Sequence, residues 1–118
     1  MLNRAVVILR YKQPFVDWIN AADPNPIHKM TLADVHDDSA AYLVEVEDEQ
    51  EFEEWFKLNG VILFEEELNG WYTDPDLWPQ DRSGDLFKQW CTFELHTLVY
   101  DRGGAPLFDD EAEDGNEI

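Results

Sequence analysis

The chain has 118 residues, of which 27 are acidic and 8 are lysine or arginine, so its formal net charge is −19. Seven Phe, five Trp and four Tyr place it among globular proteins, and a single domain of this length can bury a packed core. Residues 101–118 hold seven acids and one arginine, which leaves −13 on the body, and this charge argues against direct binding to nucleic acid or an anionic membrane.

The N-terminal stretch "RAVVILRYK" is a run of aliphatic residues between charged ones. Such a run predicts a strand that is apolar on both faces and central in its sheet. An amphipathic helix should follow, because Pro14 suits a first helical turn and Phe15, Trp18 and Ile19 share one face. Thr31 is the predicted N-cap of a short helix. The alternating stretch "AAYLVEVE" then indicates a half-exposed strand.

The acidic segment "DEQEFEEWF" predicts the start of a longer helix, with Phe52, Trp55 and Phe56 on one apolar stripe. At Gly60 we expect a break or a bend, because glycine often ends a helix and costs about 1 kcal/mol inside one. A second helix would then cover residues 61–68.

The stretch "GWYTDPDLWPQDR" is rich in aromatic residues, prolines and aspartates. We predict that it is a structural clasp, in which Trp71, Leu77 and Trp78 turn inward and Arg82 pairs with a nearby acid. A short helix capped by Ser83 should follow. The alternating stretch "TFELHTLVYD" predicts the last strand.

Together these elements predict an α+β fold: a small three-stranded, mainly antiparallel sheet with the N-terminal strand central, helices packed against it, and a long ordered aromatic loop. Residues 1–101 should form one globular domain. Residues 102–118 should form an acidic, largely mobile tail, in which only Leu107 and Phe108 offer apolar side chains for docking. The apolar run at 5–9 is too short for a signal peptide, so the expected location is the cytoplasm.

The acid-rich helical segments are most simply the solvated faces of amphipathic helices. Their functional alternative is a surface that mimics nucleic-acid phosphates, since a helix rises about 1.5 Å per residue and B-form DNA carries about one charge per 1.7 Å. The candidate binding residues are four glutamates of these helical segments and two aspartates of the aromatic loop: Glu49, Glu53, Glu65, Glu66, Asp74 and Asp76.

Two constellations include histidine. His96 and Glu94 should point the same way from the last strand, which makes them the candidate general acid or base, with a structural pair as the alternative. His36 with Asp34 and Asp38 offers an imidazole and hard oxygen ligands for a divalent ion, or else an exposed turn with capping aspartates. The sequence has no paired-histidine zinc motif, nucleophile motif or glycine-rich phosphate loop, so no cofactor is predicted.

The pattern W-x-T-D-x-x-L-W-P-x-x-R, from Trp71 to Arg82, is followed by "LFKQW" and "FELHTLVYD". These segments resemble a family of short acidic bacterial proteins of uncharacterised function, as does the start "NRAVVILRYKQPFVDWI". The resemblance extends over about residues 3–101. It implies a bacterial cytosolic protein and supplies no mechanism, substrate or catalytic residue.

The sequence therefore predicts a non-enzymatic domain that presents an acidic surface to a basic protein partner, and a nucleic-acid mimic is the sharper form of this prediction. The alternative is a small hydrolase or metal-dependent enzyme that uses His96 and Glu94 with aspartates of the aromatic loop. A cleft joining these groups would favour the enzyme, whereas acids spread over a convex face would favour the binding domain. We expect a monomer or a weak dimer.

Overall fold

The computed structural model describes residues 1–23, 27 and 29–109 of the chain. In chain order its elements are strand β1 (Ala5–Tyr11), helix α1 (Gln13–Ala22), helix α2 (Leu32–Val35), strand β2 (Ala40–Val44), helix α3 (Glu49–Trp71), a 3₁₀ turn (Pro75–Leu77), helix α4 (Gly84–Trp90) and strand β3 (Cys91–His96). Among these ranges, no helix is both long and apolar enough to cross a lipid bilayer.

The three strands form one antiparallel sheet in the order β2-β1-β3. Val7 of β1 lies opposite Tyr42 on one side and opposite Leu95 on the other. The continuous apolar run is therefore the central strand of the sheet, with a neighbouring strand hydrogen-bonded to each of its backbone edges. The predicted α+β class and the central position of the N-terminal strand are both confirmed.

The two faces of the sheet have different environments. On β1, Ala5, Val7 and Leu9 are buried in the core, whereas the intervening Val6 and Ile8 are half-buried on the opposite face. The core joins the inner face of the sheet to α1, α3 and α4. The outer face is more exposed than the uninterrupted apolar run of β1 suggested.

Aromatic side chains fill the space between the helices and the sheet. The rings of Phe64 on α3 and Phe87 on α4 stack with their centroids 4.4 Å apart. Tyr11 at the end of β1 stacks on Phe15 of α1 at 3.8 Å. Such pairs add about 0.5–1.5 kcal/mol to the burial of their surfaces, so they fix the helices against the strands.

Helix α3 is continuous through Gly60, and the predicted break or bend there is wrong. The helix continues because its flanking turns bury Phe56, Leu63 and Phe64 in one core, and this burial outweighs the low helix propensity of glycine. A Cβ atom at Gly60 would lie 3.2 Å from the Phe56 ring. The glycine therefore serves ring packing within the helix.

Hydrogen bonds hold the aromatic loop against α1 and α3. Trp18 of α1 donates its indole N–H to the Leu77 carbonyl at 2.8 Å, and Trp78 donates its own to the Tyr72 carbonyl at 2.7 Å. Arg82 forms an ion pair with Glu65 of α3 at 2.9 Å. The sequence predicted an acidic partner for Arg82 without identifying this one. Trp71 and Trp78 pack against the core. The Leu77 side chain is 40% exposed, so its predicted inward orientation is wrong. Leu77 contributes to the loop through its backbone carbonyl, which accepts the hydrogen bond from Trp18.

Several local predictions are confirmed. Thr31 and Asp34 form a reciprocal capping box at α2, and Ser83 caps α4 by accepting a hydrogen bond from the Leu86 N–H. Strand β3 is shorter than the alternation suggested and ends at His96. Leu107 and Phe108 are exposed, while residues 110–118 of the predicted tail lie outside the described residues.

Candidate functional site

Glu94 and His96 extend from β3 towards the outer face of the sheet and contact each other. His96 Nε2 lies 2.6 Å from Glu94 Oε2, and the other carboxylate oxygen accepts a hydrogen bond from the Arg10 guanidinium at 2.5 Å. Both hydrogen bonds lower the pKa of Glu94 below its usual value, and the hydrogen bond from Arg10 has the larger effect. A carboxylate stabilised in this way is a weaker base. Arg10, Glu94 and His96 therefore form an ion-pair network on the surface of the sheet.

Arg10 was missed as a member of this network. It lies opposite Thr92 in the pairing of β1 with β3, which places Glu94 on the adjacent diagonal. Diagonal neighbours on one face of a sheet are within reach of long side chains. The continuous apolar run assigned no face to Arg10, and the strand register that brings it to Glu94 is a tertiary property.

The residues of the candidate metal site make separate local contacts. Asp34 accepts a hydrogen bond from the Thr31 backbone N–H at 2.9 Å, and His36 Nε2 donates to the Tyr11 carbonyl at 2.8 Å. Asp38 is exposed at the rim of a small cavity. Within the described ranges, no group of three or more His, Cys, Asp or Glu residues is placed to hold a metal ion.

The six candidate acidic binding residues divide into two sets. Glu53 pairs with Lys88 at 2.6 Å and Glu65 pairs with Arg82 at 2.9 Å, while the Asp74 carboxylate accepts a hydrogen bond from a backbone N–H of the 3₁₀ turn. The remaining three, Glu49, Glu66 and Asp76, are exposed. In the part of the chain that the structure describes, no lysine or arginine pairs with them.

Charge is strongly biased along the sequence from Met30 to Phe56. This segment forms α2, β2 and the first two turns of α3, and it contains no lysine or arginine. Its ten acids are Asp34, Asp37, Asp38, Glu45, Glu47, Asp48, Glu49, Glu51, Glu53 and Glu54. The acids that precede and follow β2 lie at its two ends, whereas Glu49 and Glu53 line a groove beside β3 that also contains Lys12 and Lys88.

An apolar groove runs along the same edge strand. Its volume is about 220 Å³, and its walls are β2 on one side and the middle of α3 on the other. Within the groove, Ile62 of α3 is 59% exposed. The Leu58 side chain, one helical turn before Ile62, is 82% exposed, and Leu43 of β2 is 48% exposed on the outer face of the sheet. The lining residues are Tyr42, Leu43, Val44, Trp55, Asn59, Ile62, Leu63 and Glu66.

The role of Ile62 as an exposed apolar residue of this groove, with Leu58 exposed one turn before it, was missed from the sequence. Leu58 and Ile62 are four residues apart, so they share a helix face that lies beside the buried stripe. That spacing was a usable signal. The expected helix break at Gly60 separated the two residues and concealed it.

Behind the groove, a polar cluster joins both walls. The Glu67 carboxylate of α3 accepts hydrogen bonds from Tyr42 of β2 and from Tyr11 of β1, the latter at 2.6 Å. The Tyr11 hydroxyl in turn accepts a hydrogen bond from the Trp71 indole at 2.8 Å. Burial and the Glu67 carboxylate raise the pKa of both tyrosines far above the usual value. The cluster fixes β2 relative to α3 and so keeps the groove preformed.

No protein-family model, curated protein or solved structure gives a significant match to this chain. The resemblance to short acidic bacterial proteins therefore stays a prediction.

Proposed function

We propose that this chain is a non-enzymatic protein-interaction domain that presents an acidic surface to a basic partner protein. The observation that carries the proposal is the run of ten acids without a lysine or arginine between Met30 and Phe56. A surface of one sign attracts a partner of the opposite sign and raises the rate of association. Four of these acids, Asp37, Asp38, Glu45 and Glu47, flank β2, which forms one wall of the groove.

The groove adds an apolar centre to the acidic surface. Ile62 is partly exposed within it, Trp55 and Tyr42 line it as half-buried aromatic residues, and Glu66 adds a carboxylate to the lining. Protein interfaces combine a desolvated apolar centre with a polar rim. Electrostatic attraction would bring the partner to this face, and apolar contacts would then hold it.

The same residues favour a protein partner over nucleic-acid mimicry. Along the exposed side of α3, the acids are interrupted by Leu58, Val61 and Ile62. A phosphate backbone offers no apolar groups at such spacing. The exposed apolar residues on this helix therefore support the broader proposal of a basic protein partner.

A pull-down at two salt concentrations tests the proposed function. The immobilised chain would be compared with a variant in which Glu49, Glu54 and Glu66 are changed to glutamine, using a bacterial lysate because the sequence predicts a bacterial cytosolic protein. Basic proteins should be retained near about 0.05 M salt and released near about 0.5 M, where charges are screened. Retention that is the same for the variant, or that persists at high salt, would contradict the proposal.

A further inference from the structure

We propose, on the basis of the proposed function, that the groove between β2 and α3 binds an extended basic segment of the partner, which pairs with the free edge of β2 as a fourth strand. Each part of this inference has its own observation: the open backbone edge, the apolar walls, and the charge at both ends of the strand.

Among the described residues, no strand pairs with the outer backbone edge of β2. Strand β2 pairs with β1 on one side, and it is the outermost strand of the sheet. In an antiparallel pair, every second residue directs its N–H and C=O groups away from the neighbouring strand. An edge of this kind is a template for another strand, and adding a peptide strand to it is a common mode of recognition.

The groove lies where the side chains of an added strand would be placed. Trp55 and Ile62 of α3 line it on one side, and Tyr42 and Val44 of β2, which lie on the inner face of the sheet, line it on the other. Side chains of an extended segment alternate between the two faces of the sheet, so every second side chain would contact α3. The five residues of β2 span about 17 Å at about 3.4 Å per residue, enough for a short segment.

Charge selects a basic segment. Asp37 and Asp38 precede β2, and Glu45 and Glu47 follow it. Arg4 pairs with Glu45 at 2.9 Å, so Asp37 and Asp38 at one end and Glu47 at the other carry the acidic charge beside the strand. Glu66 adds a carboxylate on the α3 wall. A bound segment with lysine or arginine near its two ends would place cations beside these acids whichever way it runs.

The same arrangement disfavours a second copy of this chain. If two β2 strands paired antiparallel about a two-fold axis, Asp37 and Asp38 of one copy would approach Glu47 of the other, next to the Glu45 that pairs with Arg4. Like charges opposite each other destabilise strand pairs, and each chain carries a net charge of −19. The other edge of the sheet, at β3, is less selective for a basic segment than the edge of β2. The groove beside β3 is lined by Lys12 and Lys88 as well as by acids.

The test uses a synthetic peptide of about nine alternating lysine and valine residues. Its binding would be followed by amide chemical shifts of the labelled chain and compared with that of a glutamate–valine peptide. Two further versions are methylated on the backbone nitrogen of every lysine or of every valine. Because those two sets of N–H groups point to opposite edges of a strand, one methylated version should lose binding by more than about tenfold and the other should keep it.

Matched variants locate the site. Ile62→Ser should weaken binding of the lysine–valine peptide, whereas Val61→Ser should not, because Val61 is the adjacent exposed residue and lines a different groove. Glu66→Lys should weaken it more than Glu49→Lys, since Glu49 lies beside β3. The largest shifts should fall on β2.

The outcomes separate the two proposals. Salt-sensitive binding of the lysine–valine peptide that ignores both methylation patterns and Ile62→Ser would overturn strand addition and leave the acidic interaction domain standing. Equal or absent binding of the lysine and glutamate peptides would overturn both. Sedimentation that shows a dimer abolished by Ile62→Ser would identify a second copy as the occupant and overturn the basic segment.

Discussion

The ring of Phe56 lies directly against Gly84, at the point where helix α4 begins beside α3. A Cβ atom at Gly84 would be 2.9 Å from Cε2 of that ring, closer than carbon atoms approach without strain. Gly60 contacts the same ring from within α3. Two glycines thus make room for one buried phenylalanine, and this close approach sets the distance between the two helices.

Replacing Gly84 by alanine should therefore destabilise the fold. Because Phe56 is buried, its ring cannot swing into solvent, and we expect a loss of about 1–3 kcal/mol in the free energy of unfolding, as for an overpacked core. The control is Gly70→Ala in the last turn of α3, where a Cβ would meet nothing within 4 Å. That variant should gain about 0.5–1 kcal/mol from helix propensity. Urea unfolding measures both, and equal midpoints would refute the packing argument.

The aromatic loop should depend on Trp78 far more than on its neighbour Leu77. Trp78 packs on the core and donates a hydrogen bond to Tyr72, so Trp78→Ala should cost about 2–4 kcal/mol, somewhat less than for a fully buried tryptophan. Leu77→Ala should change stability by less than about 0.5 kcal/mol. Asp74→Ala, which removes the cap of the 3₁₀ turn, should cost about 1 kcal/mol. If Trp78→Ala unfolds like the parent protein, the tryptophan is not a structural anchor.

Stability should fall at high pH because of the two tyrosines that contact Glu67. Tyrosine in an unfolded chain ionises near about pH 10, whereas burial and Glu67 raise the pKa of Tyr11 and Tyr42 in the folded protein. The folded state then holds protons that the unfolded state has released. Stability should therefore be complete below about pH 10 and fall above it, with a slope of up to about 1.4 kcal/mol per pH unit for each tyrosine.

Tyr42→Phe isolates this effect. The variant should lose stability at neutral pH, because a hydrogen bond to Glu67 is removed, and its pH profile above about pH 10 should be flatter than that of the parent protein. Tyr100→Phe, at an exposed position, serves as the matched control. Urea unfolding between about pH 8 and pH 11 gives the profiles, and parallel curves for Tyr42→Phe and the parent would count against the argument.

Glu94 should titrate below the usual value for a glutamate, which is about 4.3. The hydrogen bond from Arg10 is the largest cause, so Arg10→Gln should raise the pKa of Glu94, and His96→Gln should raise it less. A lowered pKa stabilises the fold above the unfolded value and loses this contribution as pH falls. Because Glu94 is exposed, side-chain NMR titration is the suitable measurement. An unchanged titration in Arg10→Gln would show that the ion pair does not form in solution.

Much of the fold could be predicted from local pattern. The apolar run of β1, the alternation of β2 and the caps at Thr31 and Ser83 each follow from interactions within a few residues. The continuity of α3 could not be predicted from local pattern. The helix-ending signal of Gly60 is local, whereas the burial of Phe56 and Leu63 that overrides it requires the sheet and α4.

The candidate site shows the same division. The sequence by itself determined the charge, because composition does not depend on folding, and it determined that Glu94 and His96 share a face, because strand alternation is a backbone property. Only the tertiary structure decided that Arg10 reaches Glu94, since strand register joins residues distant in sequence. It alone placed Ile62 beside β2, because the groove exists only where β2 and α3 are held together through Glu67.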